Sequence, residues 1–491
     1  MSCFSERRRR LTSQLSGIPV ILANGWERLR NPSNTYNFRG ESHVIYLAGK
    51  LPAGAFITLN GDDVRVYLEP VSVDDAVWSG PGESWEVLAE RHEASIRPLS
   101  ELGGYIGELG RDQWASLPVQ DPKAQAYLTD LLGRSPNFKQ YERDRKLAEA
   151  MVECRLINDE FSIAELRRAG KLSVEAHFAG VQVVSRHAAR VSRRANDERD
   201  VLTAMMEVLH WQGAEVSFAP IITIAGERLH QPHIGGSLNS GSLLLVDFGA
   251  ETENGWAGDI TNTWPLCGEF KPEERAVFDT VVAAYNACVS MLKPGRRYLD
   301  VHMRAAEVLA EGLKDMGILR GSTAELLERD AHAFFFPHGI GHLMGLDVHD
   351  MEDLGDIAGY QKGRVRSKRF GLNCLRLDRD LRAGMALTVE PGIYFIPELL
   401  DNPQIRAEYK DCIDWDRVEK YRGVRGIRFE RDHLITADGS ECLTPGLPAN
   451  ADEVEKLMDA YDWHPIPVLT CIPPANDDEN MNDEDFGIIP V

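Results

Sequence analysis

Three histidines fall within twelve residues of one apolar, glycine-containing stretch. The stretch is FFFPHGIGHLMGLDVHD, residues 334–350, and it holds His338, His342 and His349 out of 14 histidines in 491 residues. A single histidine in an apolar run can be a core residue whose ring nitrogens bond backbone groups. Three of them so close together favour a site that uses the imidazole ring for binding or catalysis.

The conformation of this stretch decides what the histidines can reach. His338 and His342 are four residues apart, which is also the spacing of a helical paired-histidine zinc motif. Gly339 and Gly341 lie within that spacing and disfavour a helix. We therefore predict an extended or looped segment that presents the histidines to a cavity.

Two aspartates flank a predicted hairpin. In SLLLVDFGAETENGWAGDITNTW an apolar strand ends at Asp247, Asn254 and Gly255 mark a turn, and a second strand carries Asp259. Two acids at neighbouring buried strand ends repel each other and are costly to desolvate unless a cation lies between them. The hairpin therefore predicts a cation site, and the alternative is two unrelated turn aspartates.

Two glutamates stand on strands much later in the chain. Glu390 in ALTVEPGIYF ends an apolar strand, and Pro391 holds it in an extended conformation. In GIRFERDHLIT, Arg428 and Glu430 alternate with apolar residues, so they share one strand face, about 7 Å apart. The neighbouring guanidinium keeps this glutamate ionised. Taken singly, each glutamate is more often a surface residue.

These acids and histidines together form a candidate ligand set. With one histidine as a ligand, the set holds four carboxylates and one imidazole, which is oxygen-rich and too large for one ion. We therefore expect two hard divalent cations, with Mn(II) as the expected metal. Such a pair holds a hydroxide at neutral pH and polarises an acyl oxygen, which predicts a hydrolase.

The remaining histidines are candidates for holding the substrate carbonyl or stabilising the oxyanion. They are His338, His349 and His230, the last in GERLHQPH. Spacing alone does not distinguish His230 from His233.

The order of the motifs resembles a known family. VDFGA, GDITNTW, FPHGIGHLMGLDVHD, LTVEPGIYFI and GIRFERDHLIT resemble motifs of the Xaa-Pro metallopeptidases with the pita-bread fold, aminopeptidase P and prolidase. FRGESHVIYLAG resembles their N-terminal domain, and the resemblance extends from about residue 20 to about residue 445. It implies an α/β (α+β) chain.

The resemblance assigns the ligands by position. Asp247 matches the acid that binds one metal, Asp259 and Glu430 match the two bridging acids, and His342 and Glu390 match the ligands of the second metal. Glu390 also matches the residue that takes the proton from the attacking water.

The resemblance also assigns the other site residues. His230 lies seventeen residues before the first aspartate, as the catalytic histidine of aminopeptidase P does, and is preferred over His233. His338 and His349 match the substrate-binding and oxyanion-stabilising histidines, and Arg428 matches the arginine beside the bridging glutamate. The loop between the two aspartates is one residue longer than in the family, and Arg431 stands where the family usually has another acid.

Arg376 bears on the choice within the family. It lies fourteen residues before Glu390, where prolidases place an arginine that binds the free carboxylate of a dipeptide. Bacterial aminopeptidase P chains carry a similar stretch, and an isolated loop arginine is otherwise solvated. We expect an Xaa-Pro aminopeptidase that hydrolyses the bond before proline with a metal-bound hydroxide, and an Xaa-Pro dipeptidase is the alternative.

The elements that must position these residues fall into three parts. Residues 1–150, where short apolar strand-like runs alternate with helix-like stretches, are predicted as an α/β domain, and the resemblance implies that it is creatinase-like. Residues 151–460 are predicted as a pita-bread catalytic domain entered through long amphipathic helices. Residues 461–491 form an acidic tail predicted to be disordered. The basic run Arg7 to Arg10 is predicted to be a solvated helix face.

Composition narrows the classes of partner. A net charge of -22 argues against nucleic acid, and no apolar run reaches the roughly 18 residues of a membrane span. Eight cysteines without a CxxC pattern favour reduced thiols, so we expect a cytoplasmic protein. The expected partners are proline-containing peptides, and the resemblance implies a homo-oligomer, a dimer or tetramer.

Three further hypotheses compete with a metallopeptidase. They are a non-catalytic binding protein on the same fold, a metal-free hydrolase of the creatinase type, and a prolidase-like site that hydrolyses organophosphate esters as a side activity. Neither of the first two needs the complete ligand set found here.

Overall fold

The computed structural model describes residues 3–185, 195–231, 233–241 and 243–459. The tail predicted to be disordered, 461–491, lies outside these residues. The described chain mixes an N-terminal sheet, long helices and several small sheets. This architecture confirms the predicted α/β (α+β) class.

A four-stranded sheet forms the centre of the N-terminal region. Its strands, in spatial order, are Val20–Ala23, Phe56–Asn60, Asp63–Leu68 and Ser95–Pro98. The first three are antiparallel, and the last pairs parallel to its neighbour. The surrounding elements are the helices Cys3–Gln14, Ser42–Ala48, Val73–Ser79, Trp85–His92, Leu102–Leu109 and Pro122–Leu132, and the short hairpin strands Leu29–Asn31 and Asn34–Thr35.

The basic run in the first helix is only partly solvated. Arg7 is 1% and Arg8 5% exposed, so the predicted solvated face is wrong for these two residues. Arg7 donates from Nε to Asp159 Oδ2 at 2.7 Å and from Nη2 to Ser162 Oγ at 2.8 Å. Arg8 donates to three backbone carbonyls. The helical period turns these two guanidinium groups inward, where neighbouring elements supply acceptors.

Three long helices lead into the second half of the chain, as the amphipathic pattern predicts. They are Glu142–Arg155, Glu160–Val184 and Glu198–Trp211. Asp159 begins the second of them by accepting a backbone N–H of its first turn. The predicted domain boundary at residue 150 falls within the first of these helices.

Small antiparallel sheets form the second half. One contains Ile221–Thr223, Leu243–Asp247 and Thr261–Pro265, and another contains Ala386–Val389, Arg431–Ile435 and Ser440–Cys442. Gly392–Tyr394 pairs with Gly426–Arg428, and Glu215–Val216 pairs with Ala250–Glu251. A single bridge between Thr261 and Glu430 joins the first sheet to the segment between the others. The candidate ligands lie around this junction.

Helices cover these sheets. They are Pro272–Val289, Tyr298–Asp315, Thr323–Glu328, Asp356–Gly359, Pro397–Leu400, Pro403–Glu408, Trp415–Tyr421 and Ala451–Asp459. In the part of the chain that the structure describes, every helix is too short or too polar to cross a bilayer.

Candidate metal centre

Asp247 and Asp259 lie on neighbouring strands, in the arrangement that the hairpin predicts. Asp247 ends its strand and pairs with Thr261, two residues after Asp259. Gly255 in the connection has φ of 89°, a conformation that glycine adopts without strain. The two aspartates are 8% and 5% exposed, so both carboxylates are removed from bulk water.

Glu430 and Arg428 approach the same strand from the opposite side. The backbone N–H of Glu430 donates to the Thr261 carbonyl at 2.9 Å, and the Thr261 hydroxyl donates to Glu430 Oε2 at 2.8 Å. Arg428 donates to the Thr261 hydroxyl at 3.1 Å and to Asp247 Oδ2 at 2.6 Å. Thr261 therefore connects the guanidinium of Arg428 with the carboxylate of Glu430, and the carboxylate that Arg428 bonds directly is Asp247.

The histidine segment runs beside the strand that leads to Glu390. From residue 335 to 350 it contains no helix, as its glycines predict. A Cβ on Gly341 would lie 2.3 Å from the Thr388 carbonyl oxygen, so only glycine allows this close approach. The backbone N–H of Glu390 donates to the Ile340 carbonyl at 2.8 Å. These contacts bring the histidine segment and Glu390 to one place.

His342 faces three of the acids. Its Nδ1 donates to the carbonyl of Leu343 at 3.0 Å, which leaves Nε2 unprotonated and directed inward. Nε2 lies 3.5 Å from Asp259 Oδ2, 3.8 Å from Glu390 Oε1 and 3.9 Å from Glu430 Oε1. The tautomer fixed by the backbone is the one that binds metal through Nε2.

Several buried oxygens of this cluster have no protein donor. Asp247 Oδ1, Asp259 Oδ1 and Glu430 Oε1 are buried without a hydrogen-bond partner among the described residues. The ligand atoms of Asp259, His342 and Glu430 lie within 4.8 Å of one another. Because buried carboxylate oxygens are normally bonded, these oxygens are the atoms that a cation would contact.

The charges of the cluster lead to the same conclusion. Burial, followed by repulsion from neighbouring acids, raises the pKa of Asp259 and of Glu430 well above the ordinary values. The charge of Arg428 opposes the rise for Glu430 but does not outweigh it, so the expectation that this guanidinium keeps Glu430 ionised is wrong for the chain without metal. Burial raises the pKa of Glu390 to about 7, although the charge of Arg428 opposes this. Burial lowers the pKa of His342 well below its ordinary value, which keeps the imidazole neutral. Four acids with one arginine are short of positive charge, so the residues fit a pair of cations.

Tyr394 links His338 to Arg428. His338 Nδ1 donates to the Gly339 carbonyl, and Nε2 accepts from the Tyr394 hydroxyl, each at 2.8 Å. The same hydroxyl accepts from Arg428 Nη1 at 3.1 Å. His338 also lies 3.7 Å from Glu390 Oε2. Sequence reasoning missed Tyr394, and the available signal was its position at the end of the strand Gly392–Tyr394, which begins two residues after Glu390.

The other two predicted histidines also face the centre. The ring centroid of His349 lies 4.4 Å from that of His342. Partial burial, and then the positive charge of Arg428, lower the pKa of His230, so this side chain is close to the centre. His233 is exposed. His230 is exposed as well, so exposure does not separate the two histidines, and the preference for His230 and its role remain predictions.

Arg376 is paired with an acid that the sequence did not suggest. Its Nη1 donates to Glu352 Oε1, and Oε2 of the same carboxylate lies 3.0 Å from His349 Nδ1. Burial is the main cause of both pKa shifts, of Glu390 and of His342, and the charge of Arg376 partly offsets the rise for Glu390 and adds to the fall for His342. Arg376 therefore lies within electrostatic reach of the centre. No local pattern indicated Glu352, because it is 24 residues away from Arg376.

Arg431 is a structural residue behind the centre. It is 3% exposed and donates to the backbone carbonyls of Thr261, Glu430 and Pro448. Arg431, which stands where the family usually has an acid, therefore stabilises the backbone near Glu430.

The N-terminal region closes one side of the site. Arg39 Nε donates to Glu251 Oε2 at 2.6 Å, and Ser42 Oγ donates to Asp347 Oδ1 at 2.7 Å. Between the two regions lies a cavity of about 500 Å³, lined by Arg39, Gly40, Glu41, Ser42, His43, Gln120, Asp347, Val348, His349, Glu352 and Asp353. This cavity leads from solvent to His349.

An N-terminal α/β region followed by small sheets around an acid-rich candidate metal centre is typical of one class of metal-dependent peptidases. The chain belongs to Metallopeptidase family M24, whose model matches residues 164–437. The model described as Aminopeptidase P, N-terminal domain, matches residues 4–115. These matches confirm the predicted family and its two-domain organisation, and the protein is a metal-dependent peptidase.

Two curated relatives that are similar over most of the chain are named as Xaa-Pro aminopeptidases. Xaa-Pro aminopeptidase 1 of Streptomyces coelicolor is 32% identical over 474 residues, covering 93% of this chain and 87% of that protein. A probable Xaa-Pro aminopeptidase of Fusarium vanettenii is 32% identical over 456 residues, covering 90% of this chain and 92% of that protein.

Solved structures have the same fold. Proline aminopeptidase P II from Yersinia pestis has a TM-score of 0.73 and 26% identity, covering 93% of this chain and 99% of that chain. An Escherichia coli aminopeptidase P variant in complex with substrate has a TM-score of 0.75 and 25% identity, covering 93% of this chain and 98% of that chain.

Proposed function

We propose that this protein is an Xaa-Pro aminopeptidase that uses two divalent metal ions, with Mn(II) as the expected metal. One observation carries the proposal. Five side chains from distant parts of the chain converge: Asp247, Asp259, His342, Glu390 and Glu430. The carboxylates of Asp247, Asp259 and Glu430 each have a buried oxygen without a hydrogen-bond partner among the described residues. Relatives that are Xaa-Pro aminopeptidases over about nine-tenths of the chain support it.

The ligands are proposed to divide between the two ions. Asp247 would hold one ion, His342 and Glu390 would hold the other, and Asp259 and Glu430 would bridge them. When bound, the ions would supply Lewis acidity, which makes water a nucleophile at neutral pH and polarises the scissile carbonyl.

The chain's own residues would hold the substrate and move the proton. Glu390, which borders both His338 and His342, is placed to take a proton from the attacking water. His338, His349 and His230 are proposed to bind the substrate around its scissile carbonyl. Because proline lacks an amide N–H and has a fixed φ, recognition depends on a shaped site more than on backbone hydrogen bonds.

Arg428 and Tyr394 would hold the catalytic groups in place. Arg428 fixes Asp247 through Oδ2, so Oδ1 keeps one direction. Tyr394 fixes the Nε2 side of His338. The first contact is buried and the second is partly buried, which limits the rotamers of the groups they hold.

Xaa-Pro dipeptidase activity is the second candidate, and Arg376 is the observation that favours it. Its guanidinium lies within electrostatic reach of the centre and is the group that would bind a dipeptide carboxylate. A non-catalytic binding protein is disfavoured, because every ligand position holds a residue that can bind metal.

The test uses Mn(II)-treated protein and the peptide Ala-Pro-Ala-Ala, with Ala-Ala-Ala-Ala as the control substrate. Release of alanine from the first peptide alone is expected. Glu390→Ala and Asp259→Ala should remove the activity, whereas Asp411→Asn, at an exposed ion pair with Arg329, should retain it. Full turnover by Asp259→Ala would exclude a mechanism with a shared metal pair.

A further inference from the structure

One carboxylate joins two residues that are predicted to bind substrate. Glu352 accepts from Arg376 through Oε1 and contacts His349 through Oε2 at 3.0 Å. The hydrogen bond to His349, together with the charge of Arg376, lowers the pKa of Glu352. Glu352 is therefore an anion at neutral pH, and it occupies the guanidinium that would otherwise be open to a substrate carboxylate.

This carboxylate lies where substrate can reach it. The side chains of Glu352, Arg376 and His349 are 53%, 36% and 31% exposed. Glu352 and His349 both line the cavity between the two regions. On the inner side, the His349 ring packs on His342. Glu352 is thus separated from the predicted metal ligand His342 by His349, on the side that lines the cavity.

The substrates of the two candidate activities differ in charge at that distance. A dipeptide Xaa-Pro carries a free carboxylate immediately after proline, whereas a longer peptide carries a neutral amide there. A dipeptide carboxylate that binds the remaining N–H groups of Arg376 must stay close to the negative charge of Glu352, which opposes its binding. A peptide carbonyl needs one N–H, and a guanidinium has five, so it can bond without displacing Glu352.

We propose that Glu352 is a specificity-determining residue that occupies Arg376 and so disfavours dipeptides relative to longer Xaa-Pro peptides. The proposal rests on the proposed peptidase function. It assigns to Glu352 the discrimination that Arg376 by itself would not provide, since an unoccupied arginine would favour the free carboxylate.

The experiment compares kcat/KM for Ala-Pro, Ala-Pro-amide and Ala-Pro-Ala-Ala in Mn(II)-treated wild type and Glu352→Gln. The variant keeps the shape and removes the charge. The ratio of Ala-Pro to Ala-Pro-amide should rise about 5–10-fold, mainly through a lower KM for Ala-Pro. Adding Arg376→Met to the variant should abolish the rise, because the liberated guanidinium is then gone.

Asp356→Asn is the matched control. Asp356 lies four residues further along the same segment, is 52% exposed, and pairs with Arg366. It loses the same charge but should leave the ratio unchanged. A similar rise in this control would overturn the proposal, since a general change of charge would then explain it.

The outcomes separate this proposal from the proposed function. If wild type cleaves Ala-Pro-Ala-Ala but Glu352→Gln leaves the ratio unchanged or lowers it, the role of Glu352 is wrong and the peptidase function stands. If wild type with full metal content cleaves none of the three substrates, the proposed function fails and the role of Glu352 fails with it.

Discussion

Two buried aspartates show opposite ways of placing negative charge inside this protein. Asp144 in the N-terminal half is 0% exposed and accepts from Arg134 at 2.6 and 2.8 Å, and from the backbone N–H groups of Ser116 and Asn137. Asp259 is 5% exposed and has an oxygen without a donor among the described residues. Both lie in the interior, but only the first is neutralised by its own chain.

The difference separates a structural acid from a ligand. A buried carboxylate that has an arginine and two backbone donors needs nothing further. Asp259 lies beside other acids and the neutral His342, and burial, followed by the charges of these acids, chiefly Glu430, raises its pKa. A buried acid surrounded by acids is stable as an anion only when a cation from outside the chain is bound.

Replacing Asp259 should have the largest effect on function. Asp259→Asn removes a shared charge, so the metal content should fall and kcat/KM should fall by more than about 100-fold, beyond the 10–100-fold typical of groups that support a ligand. Metal analysis and Ala-Pro-Ala-Ala kinetics check this. An Asn variant that keeps both the metal and the turnover would contradict it.

Replacing Asp144 should affect stability instead. Asp144→Ala removes the acceptor of the partly buried Arg134 guanidinium and of two backbone N–H groups, so the free energy of unfolding should fall by about 3–5 kcal/mol. Urea unfolding measures this, and turnover per folded molecule should stay at the wild-type value. A variant with wild-type stability but impaired catalysis would reverse the roles assigned to the two aspartates.

The stability of metal-free protein should depend on pH through the acids of the centre. Burial raises the pKa of Glu390 from 4.5 to about 7 in the folded state. The folded chain then binds more protons than the unfolded chain between these pH values, so stability falls as pH rises through this window. The loss is on the order of 3 kcal/mol for Glu390 alone.

Two comparisons, with Mn(II) and with Glu390→Gln, test whether the acids of the centre cause this fall in stability. Bound metal should remove the fall, and the Gln variant should lose the part that belongs to Glu390. Thermal unfolding at several pH values, with and without a chelator, gives the comparison. Identical pH profiles for metal-free and Mn(II)-treated protein would show that the acids are neutralised by the chain itself.

The smallest predicted effect comes from replacing Thr261, which is not a ligand but hydrogen-bonds the predicted ligand Glu430. Thr261→Val keeps the shape but removes the hydroxyl shared by Glu430 and Arg428, so metal affinity should fall about 10–100-fold. Thr280→Val is the control, because its hydroxyl bonds only the Ala276 carbonyl of its own helix. Competition with a chelator measures both affinities. Equal affinities in the two variants would leave Thr261 without a supporting role.

The residue types of the centre were predictable, but most contacts between them were not. Asp247 and Glu390 could be identified because each ends a short apolar strand with a local signature. The bond between Arg428 and Asp247 joins residues 181 positions apart, so no window of sequence contains it. The pairing of Arg376 with Glu352 was unpredictable for the same reason, because it depends on how two loops fold together.

The first helix shows a different limit of sequence reasoning. Arg7 and Arg8 were assigned to solvent on charge alone, although one side of any packed helix must face inward. Their partners are an aspartate far along the chain and backbone carbonyls of neighbouring elements. A buried guanidinium needs hydrogen-bond acceptors, but the local sequence around Arg7 and Arg8 does not show which residues supply them.

The contact between Arg7 and Asp159 affects how the molecule unfolds. Asp159 is at once the cap of the helix Glu160–Val184 and the partner of the first helix, so neither segment can loosen without affecting the other. A fragment that starts at residue 151 would keep the metal ligands but lose this guanidinium. We expect such a fragment to fray at its first long helix, and the intact chain to melt in one cooperative step.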